Sequence, residues 1–188
     1  MKHPANREFY SYWDEKRAGA AAPERSDMEP EHVRHLLGDI FVLSCDTAAG
    51  YPFRVAGTRM CALLGRDLKG QSFTGLFHDG DRGDIQDILG IVTEETLATV
   101  AGMTAQAPDG TRVHLELLLL PFSARSHTPV SLTGLLAPLN PVQGPQAYGS
   151  LKDFSLTSWR HLGQDRRGPR ALRKWSMIRG FTVYEGLR

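Results

Sequence analysis

Residues 51–70 read Tyr51-Pro-Phe-Arg-Val-Ala-Gly-Thr-Arg-Met-Cys-Ala-Leu-Leu-Gly-Arg-Asp-Leu-Lys-Gly70, and this stretch decides the fold. Its pattern predicts a short strand over 53–56, a break at Gly57 and a short helix over 58–64. A second Gly-Arg turn then leads to 68–70. A strand, a kink, a short helix and a loop in this order are typical of the wall of a small-molecule or signal-sensing pocket. Because no acid, base or nucleophile is arranged here for chemistry, we expect a sensor or interaction domain and no enzyme.

The length and composition are those of one ordinary globular domain with extensions. The chain has 188 residues, of which 41% are hydrophobic and 23% charged. The polar N-terminus is not followed by an apolar segment, which predicts that a secretory signal is absent. Two cysteines, Cys45 and Cys61, provide neither a disulfide framework nor a metal-binding spacing. We therefore expect a cytoplasmic protein with reduced thiols and no metal site.

The segments around this stretch predict an α+β architecture. Two strands over 39–46 and 51–56 come first, and short helices follow, including an amphipathic helix over 81–95. Three further strands are predicted over 97–106, 111–122 and 130–137, with a tight turn at 108–110 between the first two. Prolines and glycines between 138 and 145 mark the exit from the domain.

An N-terminal helix over 5–18 is predicted to cover the back of this sheet. The strand over 111–122 is apolar on both faces, because Leu118 and Leu120 extend the face that carries His114 and Glu116. Such a strand cannot face water, so its outer side needs a cover. We expect the aromatic residues of the N-terminal helix to pack on the sheet and to help form a homodimer; a purely intramolecular cover is the alternative. The residues concerned are Phe9, Tyr12 and Trp13.

At this point the chain resembles the PAS domain superfamily. More closely, it is similar to a stand-alone PAS-like family of alphaproteobacterial proteins once described as a domain of unknown function. The resemblance covers roughly residues 9–140 and implies a five-stranded antiparallel sheet with short helices on one face, and a role in signalling. The segments that carry it are Tyr12-Trp13 with Arg17, Arg25–Pro30, Phe53–Arg59, Leu64–Gly70 with Ser72-Phe73, and Leu115–Pro121.

The chain divides, on this interpretation, into three parts. Residues 1–28 form an N-terminal helix and linker, 29–140 the PAS-like sensor domain, and 141–188 a basic, partly flexible C-terminal extension. We expect a non-enzymatic regulatory protein that binds signalling partners such as two-component regulators and a small apolar ligand, unless the core is filled by its own side chains. The ligand pocket is predicted between the sheet and the short helices, lined by Phe53, Val55, Met60, Leu64, Phe73, Leu76, Phe77, Met103 and Leu117.

A haem- or flavin-based redox or gas sensor is an alternative function. A flavin photosensor of the PAS type needs a cysteine in an Asn-Cys-Arg-Phe-like motif, and the corresponding segment 70–75 has Ser72 and no cysteine. A haem sensor needs an axial histidine, and His78 stands at about the required place. The competing interpretation of His78 is a solvated capping or loop residue. We therefore expect no cofactor, with haem bound through His78 as the alternative.

The basic C-terminus supports a second alternative. Residues 160–188 carry a net charge of +6, which leaves about −5 for the remainder of the chain. This segment, with its interspersed aromatic residues, could contact nucleic acid or an anionic membrane surface, although it contains no helix-turn-helix, zinc or basic-zipper pattern. Docking of a partner protein is an equally good interpretation. The expected contact residues are Arg166, Arg167, Arg170, Arg173, Lys174 and Trp175.

Overall fold

A single antiparallel sheet with helices on both faces organises the molecule. The computed structural model describes residues 1–123, 131–140 and 150–162, together with the backbone of 173–178 and 181–185. The α-helices in this part are α1 (Pro4–Arg17), α2 (Thr58–Leu64) and α3 (Arg82–Glu94). Short 3-10 helices cover Arg25–Asp27, Pro30–Leu36, Thr74–Leu76 and Asp79–Asp81. Every helix among the described residues is too short or too polar to traverse a lipid bilayer.

The sheet contains the predicted five strands and three more. Its order is β2-β1-β5-β4-β3-β6-β7-β8. The bounds of the strands are β1 Ile40–Ser44, β2 Phe53–Ala56, β3 Ala98–Gln106, β4 Arg112–Pro121, β5 Ser131–Pro138, β6 Lys152–Leu162, β7 Arg173–Ile178 and β8 Phe181–Glu185. The α+β class and the PAS-like antiparallel sheet with short helices predicted from the sequence are confirmed, and the sheet has more strands than the five expected.

The additional strand β6 begins beyond the boundary that we predicted at residue 140. It pairs with β3 along its length, from Ala98 opposite Leu162 to Gln106 opposite Lys152. Its inward side chains, such as Phe154, Leu156 and Trp159, are buried. The alternation is broken by a register shift opposite Gly102 and Met103, so the period of two that identifies a strand is not continuous in the sequence. The sheet therefore continues beyond residue 140, where the sequence predicted the end of the domain.

The inner face of the sheet carries the main hydrophobic core. Helices α2 and α3 and the turns between them contribute Met60, Leu64 and Ile88, which are at most 3% exposed. Leu115, Leu117 and Leu119 of β4 face them from the sheet and are fully buried. In this two-layer arrangement, residues 65–81 lie over one end of β6. Leu156 N of β6 donates to Asp81 Oδ2 there, at 3.2 Å.

Helix α1 covers the outer face of the sheet in this chain. Phe9 and Trp13 are each 2% exposed and pack against Leu118, Leu120 and Leu135. The indole Nε1 of Trp13 also donates to the Pro121 carbonyl at 2.9 Å. The predicted role of these aromatic residues as a sheet cover is thus seen within one chain, whereas the homodimer stays a prediction.

The break between β2 and α2 is enforced by close backbone contact at Gly57. A Cβ atom at this position would lie 2.2 Å from the Leu37 carbonyl oxygen, so no larger residue fits there. Arg59, one residue into α2, places its Nη2 2.6 Å from Asp39 Oδ2 and 2.6 Å from the His35 carbonyl oxygen. This junction fixes α2 against the start of β1, as the sequence of 53–64 predicts.

Candidate functional site

The structure brings eight of the nine predicted pocket residues together in the inner core, and only Val55 lies elsewhere. Val55 is 52% exposed. The sequence suggested that Phe53 and Val55 share a face, because strand residues two apart normally do. The register of β1 and β2 shifts, however, so that Val42 faces Val55 while Leu43 faces Phe53. This β-bulge turns Val55 away from the core.

A row of aromatic rings fills the space between the sheet and the helices. Phe41, Phe53 and Phe73 lie with their ring centroids 5.5–5.6 Å apart. Phe77 continues the row 5.5 Å from Phe73, and Phe154 of β6 follows at 6.2 Å. All five rings are at most 2% exposed. These separations are those of directly packed aromatic pairs, so the rings occupy the volume that the predicted ligand would need.

His78 is at the surface, next to the end of this aromatic row. Its backbone N–H donates to the Phe154 carbonyl at 2.9 Å, and its Nδ1 accepts from the Gly80 N–H at 3.2 Å. The imidazole therefore caps the 3-10 turn 79–81, which agrees with the capping interpretation of this residue. Ligation of haem by His78 stays a prediction. Among the described residues, no three His, Cys, Asp or Glu side chains are grouped so as to hold a metal ion.

A surface cleft of about 590 Å³ opens where the aromatic row ends. The buried side chains of its floor are Leu64, Leu76, Phe77, Leu151 and Phe154, and its rim carries charged side chains, among them Arg66, Asp79, Arg82, Lys152 and Asp153. This cleft was not predicted from the sequence, since one of its walls belongs to the unpredicted strand β6. The sequence of 150–154 contains no pattern that indicates the cleft, because this wall forms only where β6 packs against the rest of the chain.

A second cleft, of about 410 Å³, lies on the other face of the sheet beside α1. Tyr10, Trp13 and Arg17 line it from the helix, and residues 95–98 line it from the approach to β3. The guanidinium carbon of Arg17 lies 5.5 Å from the centroid of the Trp13 ring, and Arg17 Nε donates to Asp14 Oδ1 at 2.7 Å. The charge of Arg17 is thus already engaged within α1.

Two reactive side chains, the partly buried Cys45 and the buried His161, are held in neutral forms. Burial raises the pKa of the Cys45 thiol to about 11, so it is not a thiolate at neutral pH. Burial lowers the pKa of His161 to about 4, and its Nδ1 lies 2.6 Å from Thr99 Oγ1. His161 was not singled out in the sequence, where it sits in the unpredicted strand. Neither group is poised for proton transfer or nucleophilic attack near pH 7.

Glu116 anchors the N-terminus of α1 to the outer face of β4. Its carboxylate accepts from Lys2 N at 2.6 Å, from His3 N at 2.9 Å and from Asn6 Nδ2 at 3.0 Å. Burial raises the pKa of this carboxyl, but the donated hydrogen bonds outweigh that effect and hold the pKa below its ordinary value of 4.5. The sequence placed Glu116 on the outer face but gave no indication of this contact.

The basic C-terminus is only partly within the described residues. Arg166, Arg167 and Arg170 lie outside them. Arg173, Lys174 and Trp175 belong to β7, of which the backbone alone is described, and β7 pairs with β6 and β8. The predicted contact with nucleic acid or an anionic membrane stays a prediction.

The family to which the chain belongs follows from comparison with known proteins. Residues 1–137 match the profile of the family described as PAS domain. The chain is a member of the PAS domain family. This match confirms the resemblance to PAS domains inferred from the sequence. Because PAS domains are sensory or signalling modules, it also confirms the coarse functional class. No curated protein matches the chain.

Solved structures with a similar fold are PAS and light-oxygen-voltage (LOV) domains. The Rhodobacter sphaeroides LOV protein is 15% identical, with a TM-score of 0.43 over 61% of this chain and 69% of that one. The PAS domain of an HTR-like protein from Haloarcula marismortui is 22% identical, with a TM-score of 0.42 over 57% of this chain and 89% of that one. An RNA-binding light-oxygen-voltage receptor is 18% identical, with a TM-score of 0.44 over 58% of this chain and 33% of that one.

The PAS match ends before β6 begins. Strand β6, with Ser150 and Leu151 before it, is therefore an addition to the part that matches the family. Phe154, the last ring of the aromatic row, and one wall of the 590 Å³ cleft come from this addition.

Proposed function

We propose that this PAS protein is a non-enzymatic signalling module that acts by binding partner proteins and whose core is closed by its own side chains. The aromatic row from Phe41 to Phe154 carries this proposal. A pocket for a chromophore or metabolite needs several hundred Å³ of free space, and here the corresponding volume holds five packed rings. A protein whose interior needs no ligand is suited to present a fixed surface to partners.

The absence of activated side chains among the described residues supports a non-enzymatic role. The pKa values of the partly buried Cys45 and the buried His161 are both shifted towards the neutral forms of these side chains. Catalytic groups are normally shifted towards the protonation state that their reaction needs, and they lie at a cleft. Neither residue lines the two clefts described above.

Native mass spectrometry of the freshly purified full chain tests the closed core. We expect the mass of the polypeptide alone and no absorption band in the visible range. As a matched variant, Phe73→Ala removes the middle ring of the row and should create a cavity that binds benzene, detectable by NMR, while the wild-type chain does not bind it. Visible colour, or benzene binding by the wild-type chain that perturbs the rings of the aromatic row, would contradict the proposal and revive the cofactor alternatives.

Partner binding has its own test at the edge strand β2, where Phe53 is already hydrogen-bonded to residues 70 and 71 but Val55 is exposed. Val55 on the edge strand β2 is 52% exposed, so Val55→Asp should leave the fold intact while adding a charge to this edge. We expect the wild-type chain to capture signalling proteins such as two-component regulators, and the amount captured is measured. Val55→Asp should abolish this capture, whereas Glu31→Gln, an exposed control, should retain it. Equal recovery with both variants would exclude this edge as the binding surface.

A further inference from the structure

The 590 Å³ cleft at the end of the aromatic row is a built feature of the chain. Two backbone hydrogen bonds and one bond to a side chain fix its walls. Leu151 N donates to the Leu63 carbonyl at 3.2 Å, His78 N to the Phe154 carbonyl at 2.9 Å, and Leu156 N to the Asp81 carboxylate at 3.2 Å. The start of β6 is thereby held between the C-terminus of α2 and the 77–81 turn. The walls come from segments far apart in sequence.

Two residues in its wall keep a backbone conformation that costs energy. Ser150 and Asp153 have φ values of 70° and 53°, in the left-handed region that non-glycine residues rarely adopt. Both line the cleft. Strain of this kind persists where the surrounding structure holds it, and it is concentrated at ligand-binding and switch regions.

The floor and the rim of the cleft differ in chemistry. The floor consists of closely packed apolar side chains, of which Leu76, at 7%, is the most exposed, while the rings of Phe77 and Phe154 beneath it are at most 2% exposed. On the rim, Arg82 is paired with Asp79 at 2.9 Å. Arg66 and Lys152 form no ion pair with any described carboxylate, so two cations face the cleft against the single carboxylate of Asp153.

We propose that this cleft is a binding site for a small organic anion with an aromatic or hydrophobic body. The body lies over the floor of the cleft beside Leu76, its most accessible side chain, and the anionic group lies near Arg66 and Lys152 on the rim. The volume is within the range of small-molecule sites. The site goes beyond the proposed role of the closed core and is independent of it, because the cleft lies outside the row of rings and needs no space within it.

Titration of the full chain with naphthalene-2-sulfonate, followed by amide NMR, tests the site. We expect saturable shifts centred on Gly65, Gly75 and Ser150, and much weaker binding of the neutral analogue naphthalene-2-methanol. An exposed unit charge contributes severalfold to the affinity for an anion a few ångströms away. The double variant Arg66→Gln, Lys152→Gln should therefore raise the dissociation constant about tenfold, and Arg54→Gln, on the opposite edge of the sheet, should leave it unchanged.

A gain of affinity distinguishes the proposal from damage to the fold. Asp153→Asn removes the opposing carboxylate, and asparagine tolerates the φ of 53° that this position requires. We expect this variant to bind naphthalene-2-sulfonate several times more tightly than the wild-type chain. The proposal is overturned by the absence of saturable binding, by shifts centred elsewhere, by equal binding of the neutral analogue, or by affinities that do not respond to Arg66, Lys152 and Asp153. Each of these results leaves the closed-core proposal standing, since that proposal depends on colour and on benzene binding in the aromatic row.

Discussion

Replacing Glu116 by glutamine is expected to loosen α1 from the sheet. The two carboxylate oxygens accept three hydrogen bonds, with Oε2 serving Lys2 N and Oε1 serving His3 N and Asn6 Nδ2. A glutamine side chain offers one acceptor oxygen, and its NH2 group would face an N–H donor. At least one charge-assisted hydrogen bond is lost and a partly buried donor is left without this acceptor, which costs about 2 kcal/mol.

This loss is large enough to measure by thermal unfolding. For a chain of this size, about 2 kcal/mol corresponds to a fall in Tm of about 4–8 °C. Circular dichroism and tryptophan fluorescence should report it together, because Trp13 lies in α1 and donates to the Pro121 carbonyl. Glu31→Gln, which changes an exposed carboxyl, is the matched control and should leave Tm within about 1 °C.

The pH dependence gives this prediction a distinct signature. Since the folded-state pKa of Glu116 is lower than its ordinary value of 4.5, the stability from its ionised form is fully present above that value. It is lost as the pH falls through the folded-state pKa. The difference in Tm between the wild-type chain and Glu116→Gln should therefore be constant near neutral pH and shrink in acid. A difference that is absent at neutral pH, or that does not shrink in acid, would refute the reasoning.

Three further substitutions, the first with a control, test the core, the break before α2 and the helix α3. Phe73→Ala, at the centre of the aromatic row, should cost about 3–5 kcal/mol in chemical denaturation, whereas Val55→Ala, on an exposed side chain, should cost less than about 0.5 kcal/mol; similar costs would show that Phe73 is not packed as described. Gly57→Ala should destabilise by about 3 kcal/mol, because its Cβ would lie 2.2 Å from the Leu37 carbonyl oxygen. Gly90→Ala, in α3 with nothing within 4 Å of the new Cβ, should stabilise by about 1 kcal/mol; a loss of stability there would contradict the assigned helix.

The elements that could be predicted from the sequence are those whose signals are local. The helix over 58–64 is observed at Thr58–Leu64, because Gly57 precedes it and Gly65, with a φ of 68°, ends it. The hairpin between β3 and β4 follows from the turn at Asp109 and Gly110, where Gly110 has a φ of 83°. In each case the residue that decides the backbone is visible in the sequence itself.

The features that were missed depend on partners distant in the chain. Val55 faces away from the core because the register of β2 against β1 shifts, and a register is a property of two strands together. Glu116 appeared as one polar residue on an apolar strand, and its three donors lie more than 100 positions earlier. The cleft was missed for the same reason, since its two walls meet only through the docking of β6.

The covering of both sheet faces changes the argument for a homodimer. The sequence favoured a dimer partly because Leu118 and Leu120 needed a cover, and α1 of the same chain supplies it through Phe9 and Trp13. The outer face over β4 and β5 therefore offers little apolar surface to a second copy unless α1 moves away. Strand β6 likewise occupies the edge of β3 that a five-stranded sheet would leave open. Within the part of the chain that the structure describes, the surfaces left for a partner are the outermost strands β2 and β8, the clefts and the helical surface, which is why the proposed binding test is placed at Val55.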